Sequence, residues 1–308
     1  MSIESLFRSK LRIGGVVRHG LGNLQDHIVG LRAQLRLRRE IDAARAGSPA
    51  KPLPDFLIIG APKCATSWLA WALRRLPRVV VVPDEIEYFS SNIDRPLRWY
   101  FSHFEDLVTE ARAVETDEPL IIGEKSAGYC GLSRARIRLV RRLLPDVRLV
   151  LMIRDPVKRH WSHAKRFFSK QKAQRRGYNY IESRPQLYGF FSRTRRFSEF
   201  SQMIESWTDI YPAEQLLVVS QEVAFTNPLG TLERVVSHLG CSIDLNPLGA
   251  KGALRNDRNQ GPAVPMPPDV ADYLERMFAG ERVRLEAVLR ARLSPQAVSE
   301  IGLSQARL

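Results

Sequence analysis

Phe56-Leu57-Ile58-Ile59-Gly60-Ala61-Pro62-Lys63-Cys64-Ala65-Thr66-Ser67-Trp68-Leu69 decides how the rest of the chain is read. Four apolar residues run into a turn holding Gly60 and Pro62, and Thr66 and Ser67 then offer N-cap chemistry before Trp68 and Leu69 open a helical pattern. Strand, loop and helix in that order direct unpaired backbone N–H groups, and the positive end of the helix dipole, at whatever lies above the helix N-terminus. Lys63 adds a full positive charge, so the arrangement suits an anion. A Walker A loop runs Gly, four residues, Gly, Lys and Ser or Thr, whereas Lys63 comes three residues after Gly60 and three before Thr66. That spacing argues against an ordinary ATP or GTP site.

Outward from this stretch, short β-rich runs alternate with helical patterns, which implies an α/β domain with a mainly parallel sheet of about five strands and helices on both faces. The strands are expected at Phe56–Ile59, Val79–Val82, Leu120–Ile122, Arg148–Ile153 and Leu216–Ser220. Helices are expected at Ser67–Arg75, Ser133–Leu144, Val157–Lys170, Phe197–Tyr211, Leu229–Leu239 and Pro268–Leu293. Gln171–Arg196 is polar, aromatic and basic without clear periodicity and reads as a substrate-facing insertion.

A second anion site is written into Arg148-Leu149-Val150-Leu151-Met152-Ile153-Arg154-Asp155-Pro156. A buried strand ends in an arginine, followed by an aspartate suited to N-cap and a proline suited to the first helical position. Ser162, eight residues past Arg154, shares a helix face with Lys158 and Arg159, so Arg154 and Ser162 converge on one anion. Two such sites on neighbouring strand ends fit one ligand with separated phosphates.

These residues carry a resemblance. Gly60–Leu69 resembles the 5′-phosphosulfate loop of sulfotransferases that use 3′-phosphoadenosine 5′-phosphosulfate (PAPS), and Arg154-Asp-Pro-Val-Lys-Arg-His-Trp-Ser162 resembles their 3′-phosphate motif. Asp84-Glu-Ile-Glu-Tyr-Phe89 is similar to the Lys-Glu-x-His-Phe-Phe element of the heparan-sulfate sulfotransferase branch and its bacterial relatives. Glu124-Lys-Ser-Ala-Gly-Tyr129 is similar to that branch's Glu-Lys-Ser/Thr-Pro-x-Tyr element. The four motifs stand in family order over residues 55–165, and Tyr211–Gly240 matches the second half more weakly.

The resemblance implies a P-loop-like three-layer sandwich and transfer of a sulfuryl group from PAPS, with PAP as product and no metal. Its acceptor would be a hydroxyl or amine of a carbohydrate, glycolipid or related metabolite. Glu85 would be the general base, Lys63 would stabilise the leaving phosphate, and Lys125 would line the crevice between them. Lys63, Cys64, Ala65, Thr66, Ser67 and Trp68 would form the 5′-phosphosulfate site, with Arg154 and Ser162 at the 3′-phosphate. Lys251, Gly252 and Arg255 would supply a late basic loop near the nucleotide. Three departures bear on this: Ala65 stands where the family has Gly, Asp84 and Glu87 replace its Lys and His around Glu85, and Gly128 replaces its Pro. The first reads as a tolerated methyl group. The others change the electrostatics on the acceptor side, so the acceptor need not be a glycosaminoglycan.

Read without the resemblance, Lys125 could equally pair with its neighbour Glu124, and His160 and His163, one turn apart with no further ligands at metal spacing, read as helix-surface residues. Composition is globular at 308 residues and 44% hydrophobic, and the net charge of +14 calls for an anionic cofactor, acceptor, membrane or nucleic acid without choosing among them. Two alternatives therefore stand beside the transferase. One is a P-loop kinase or NTPase with Asp155 as a Walker-B-like magnesium ligand; the other is a basic membrane- or nucleic-acid-binding protein. On the leading reading no nucleic-acid partner is expected.

Residues 1–52 read as a basic amphipathic N-terminal extension ahead of a transferase domain at 53–308. Val17, Leu21, Leu24, Ile28, Leu31 and Leu35 fall on one helical stripe amid Arg and Lys, suited to packing on its own domain, self-association or an anionic membrane surface through residues 8–39. Cys64, Cys130 and Cys241 signal neither a zinc site nor a disulfide framework. With no secretion signal or apolar span, the expected location is the cytoplasm or the periphery of a membrane.

Overall fold

The computed structural model describes residues 32–44, 53–112, 119–174, 183–245, 248, 254 and 264–301. Five parallel strands, β1 (Phe56–Gly60), β2 (Val79–Val81), β3 (Ile121–Lys125), β4 (Arg148–Ile153) and β5 (Leu216–Ser220), form one sheet in the order β2-β3-β1-β4-β5. β1 is central and buried along its whole length, as the unbroken apolar run requires of a strand covered on both faces. Connections leave β1 toward β2 and leave β4 toward β5, so the carboxyl ends of β1 and β4 flank the point where strand order reverses. In open α/β sheets ligands bind in the crevice at such a point.

The helices close the sandwich. α1 spans the described helical residues 32–44, followed by α2 (Thr66–Leu73), α3 (Leu97–Arg112), α4 (Arg134–Leu143) and α5 (Pro156–Gln174). α6 (Arg184–Thr194), α7 (Phe200–Thr208), α8 (Gln221–Thr226), α9 (Pro228–His238), α10 (Pro268–Arg292) and α11 (Pro295–Glu300) complete the described set. Asp155 caps α5 by accepting from the Lys158 N–H at 2.8 Å, with Pro156 in the first turn, as the sequence pattern dictates. No described helix is long and apolar enough to cross a membrane.

Three elements differ from the sequence reading. α3 has no local capping signal, because its Leu97 N–H donates at 2.6 Å to Glu40 of α1, a partner 57 residues away. The stretch read as aperiodic holds α6 and a turn of 3₁₀ helix at Arg195–Ser198; Leu187, Phe190 and Phe191 pack with Val157, Trp161 and Phe168 of α5 and with Val270, Leu274 and Phe278 of α10. In α1, Leu35 is 52% exposed, whereas Ala33, Leu37 and Ile41 at four-residue spacing enter the main core. The expected stripe through Leu35 is thus rotated off the packed face. Arg36 donates to the Ile93 and Arg95 carbonyls, and Asp42 pairs with Arg142, so α1 is bound to the domain rather than trailing from it. Residues 8–31, which carry the rest of that stripe, lie outside the described residues.

Candidate active site

Parallel strands put all their carboxyl ends on one edge, and the residues singled out in sequence gather there. The phosphate loop follows β1, Arg154 follows β4, Lys125 ends β3, and Glu85 lies four residues beyond β2. Pairing fixes the spacing: Ile58 stands opposite Lys125, and the Ser126 N–H donates to the Ile58 carbonyl at 3.1 Å.

In the loop, Ala65 holds φ 68°, the left-handed region where a residue with a Cβ is disfavoured by about 1–2 kcal/mol relative to Gly. This is the backbone reason a Gly would be preferred there, and it makes Ala65 a tolerated but strained methyl. Lys63 also has positive φ, at 72°. Thr66 opens α2 and is buried, Ser67 is half-buried, and the Trp68 indole N–H donates to the Leu254 carbonyl at 2.8 Å. Cys64 is fully buried and burial pushes its thiol up to about 12, so it is inert packing rather than a nucleophile. Phe225 of α8, which sequence reasoning missed, stands edge-on to Trp68 at 6.0 Å while remaining 57% exposed. An exposed aromatic beside the loop is a platform for a planar ring.

On the β4 side, Arg154 donates to the Lys63 carbonyl at 3.5 Å, and its buried Nε has no partner among the described residues. Ser162 lies half-buried on α5. Lys165, three residues on, has its pKa lowered by burial and then by the charge of Arg154, which places a further cation at this end. Lys158 and Arg159 do not share an outward face with Ser162, since Lys158 is exposed and Arg159 is wholly buried. His160 is fully buried and His163 half-buried, which corrects their reading as surface residues. His160 is held between Ser198 Oγ at 2.8 Å and the Phe191 carbonyl at 3.1 Å, and burial followed by the Arg159 charge lowers both histidines to about 3. Asp155 has structural partners on both oxygens: Oδ1 accepts from the Lys158 N–H, and Oδ2 from Arg282 Nη2 at 2.8 Å and Nε at 3.2 Å. An aspartate that caps a helix and pairs with an arginine disfavours the Walker-B-like role. Lys251, Gly252 and Arg255 lie outside the described residues.

At the other end of the edge, Lys125 Nζ donates to Glu85 Oε1 at 2.6 Å, so its partner is Glu85 and not Glu124. Strand alternation explains the choice, because successive side chains leave a strand on opposite faces. Glu124 instead enters the core beside Tyr100, Tyr129 and Ser126, where burial raises its pKa to about 7. The Glu85 segment is anchored by Arg74 at the end of α2, which donates to the carbonyls of Val81, Val82 and Pro83. The phosphate loop and the candidate base are thereby tied through a single helix.

Aligned on Glu124 and Tyr129, the motif's Pro falls on Ala127, which corrects the reading of Gly128 as its replacement. Glu87 Oε1 accepts from the Gly128 N–H at 2.8 Å, and a Cβ at position 128 would lie 2.4 Å from Glu87 Oε2, so the departure at 87 is accommodated by the glycine at 128. Glu87 also accepts from Ser90 Oγ, and its pKa is raised, first by burial and further by Glu85. Beside Glu85 opens a cleft of about 480 Å³ lined by Asp84, Asn92, Trp99, His103 and Asp106, with no Lys or Arg among its lining residues.

A model described as Sulfotransferase family matches residues 94–244, about half of the chain. The match spans Lys125 and Arg154 but begins after the phosphate loop and Glu85. Human heparan sulfate glucosamine 3-O-sulfotransferase 3B1 is 29% identical over 210 residues, 63% of this chain and 48% of that protein. Mouse heparan sulfate glucosamine 3-O-sulfotransferase 6 is 27% identical over 214 residues, covering 67% and 58%. This chain thus spans about half the length of the curated relatives it matches. A solved sulfotransferase from Alicyclobacillus acidocaldarius shares the fold, with a TM-score of 0.57 at 22% identity over 80% of this chain and 99% of the other.

Proposed function

Because the chain belongs to the sulfotransferase family, we propose that it transfers a sulfuryl group from PAPS to a hydroxyl of a carbohydrate or related acceptor. The observation that carries this reading is one sheet edge bearing cations at one end and an ion-paired carboxylate at the other. The partnerless buried Nε of Arg154, the charge of Lys63 and the start of α2 fit a ligand with separated anionic groups. Bound PAPS supplies the electrophilic sulfuryl group and its phosphate leaving group.

Lys63 and the N–H groups of Ala65, Thr66 and Ser67 hold negative charge above α2, which favours charge growing on a leaving oxygen. Arg154 and Ser162 grip the 3′-phosphate, and Phe225 with Trp68 offers the base a face. Glu85, oriented by Lys125, accepts the proton of the acceptor hydroxyl. The acceptor enters the cleft beside Glu85. The relatives' names favour a carbohydrate, and a lining of carboxylates, Asn92, Trp99 and His103 without a cation favours hydroxyl donors on an uncharged portion of it.

Calorimetric titration with PAP and 5′-AMP without magnesium, and with ATP in its presence and absence, tests the reading. We expect PAP to bind best, and Arg154→Ala to weaken it about 30-fold, the value of losing a charge-assisted phosphate contact of about 2 kcal/mol. Preference for magnesium ATP would return the kinase alternative.

A further inference from the structure

Arg159 is the most anomalous group in the molecule. It is 0% exposed, on the second turn of α5, and makes no ion pair with any described carboxylate. Its Nε donates to the Pro62 carbonyl of the phosphate loop at 2.9 Å, and its Nη1 donates to His163 Nδ1 at 3.3 Å and Ser198 Oγ at 3.4 Å. Nη2 is buried without a partner among the described residues. Around it stand the Phe197 ring at 5.7 Å, two neutral histidines, and the thiols of Cys64 and Cys130, each pushed up to about 12 by burial and so uncharged at neutral pH. Nothing described neutralises the guanidinium.

An unpaired buried cation is among the costliest features a core can hold, and it persists where an anion repays it. The element that Arg159 holds directly is the phosphate loop, through the Pro62 carbonyl. A charge surrounded by low dielectric is weakly screened, so its field reaches a ligand on the other side of the loop far better than a surface lysine's would. The hydrogen bonds carry a second consequence. Because the guanidinium only donates, Ser198 Oγ must accept from it and can pass its own proton to His160 Nδ1, leaving His160 Nε2–H for the Phe191 carbonyl. One guanidinium therefore ties the phosphate loop to α5, to the 3₁₀ turn at Arg195–Ser198 and, through His160, to α6.

We infer that Arg159 is a positioning residue for the nucleotide: it fixes the phosphate loop through Pro62 and supplies, without touching the ligand, a buried positive charge matched only when an anionic ligand occupies the loop. This rests on the sulfotransferase reading and extends it to a residue outside the ligand-contacting set. The sequence alone places Arg159 beside Ser162 as one more helix cation; only its burial reveals the unpaired charge.

Two variants of the full chain separate charge from hydrogen bonding. Arg159→Gln keeps a donor for the Pro62 carbonyl and removes the charge, whereas Arg159→Lys keeps the charge and loses the fork. With folding checked by circular dichroism, we expect PAP to bind Arg159→Gln about 30-fold more weakly than wild type and Arg159→Lys within about fivefold of it. The His163 imidazole pKa, followed by NMR without ligand, should rise in the Gln variant and stay low in the Lys variant, which verifies that the buried charge is lost in one and kept in the other; a purely structural strut would not make PAP affinity follow that charge. PAP affinities within twofold for wild type and Arg159→Gln would overturn the inference and leave the sulfotransferase reading standing, as would a Lys variant as weak as the Gln variant. Wild-type protein that does not bind PAP would remove that reading and this inference together.

Discussion

The two ends of the sheet's carboxyl edge are built from the same kind of element and carry opposite charge. Beyond β1 and β4 stand Lys63, Arg154, Arg159 and Lys165, and the carboxylate among them, Asp155, is locked by Arg282 and the start of α5. Beyond β2 and β3 stand Asp84, Glu85 and Glu87, with Lys125 committed to Glu85. A parallel sheet supplies the common edge without choosing the charges, which come from the first residues past each strand. In-line group transfer needs this asymmetry: positive charge where the leaving group departs, and a base where the nucleophile arrives. The halves are linked mechanically by Arg74, which runs from the end of α2 to the β2 carbonyls.

If the halves have separate duties, their variants must fail differently. The largest effect belongs to Glu85→Gln, which removes the proposed base while preserving shape. Turnover should fall about 10³-fold with PAP affinity unchanged within twofold in calorimetry, and a joint loss would show that the ends are not separable. Lys63→Ala comes next, with kcat lower by about 10²-fold and PAP binding also weakened, because the lost charge lies in the anion half. Equal PAP affinity in that variant would break the division from the other side.

Smaller effects concern stability beneath each half. Glu124 has a folded pKa of about 7 against an ordinary 4.5, so the native state holds a proton more tightly and the stability it brings is lost as pH rises from about 4.5 to 7. Glu124→Gln should therefore raise stability by about 2 kcal/mol at pH 8 and by little at pH 4.5, read as the shift of the thermal midpoint. Under the cationic half the sign reverses. His160 and His163 fall to about 3 and His238 to about 4, all chiefly by burial, so the stability they confer is complete above about 6.5 and is lost as pH falls toward 4. Acid should thus destabilise the protein below pH 6, and more steeply in Glu124→Gln, where the opposing carboxyl is gone. A midpoint flat from pH 7 to 4.5 in that variant would refute the histidine account.

Legibility in the sequence followed locality. β1, β4 and β5 were readable because fully buried parallel strands are continuous apolar runs, and the Asp155-Pro156 cap because a cap involves residues three apart. α3 was not readable, since Glu40 caps it from 57 residues away, and α6 was hidden by aromatics whose packing partners lie on α5 and α10. At the site, Lys63, Arg154 and Glu85 were legible as residue types at motif spacing. Phe225 gave no signal beyond its own hydrophobicity, and its interest comes from exposure beside Trp68.

By itself the sequence determined the strand-loop-helix that presents Lys63, the strand-cap-helix that presents Arg154, and the motif order that names the family, because each depends on backbone geometry within about ten residues. Only the tertiary structure decided who partners whom. Lys125 turns to Glu85 because alternation sends Glu124 to the other face; Glu87 accepts the Gly128 N–H because the turn after β3 brings that donor within reach; and Arg159 is buried without a counter-charge among the described residues because three separate segments close over it. Local spacing sets where a side chain starts, but the dielectric around it and the groups it meets are properties of the assembled core, and those fix its charge and its chemistry.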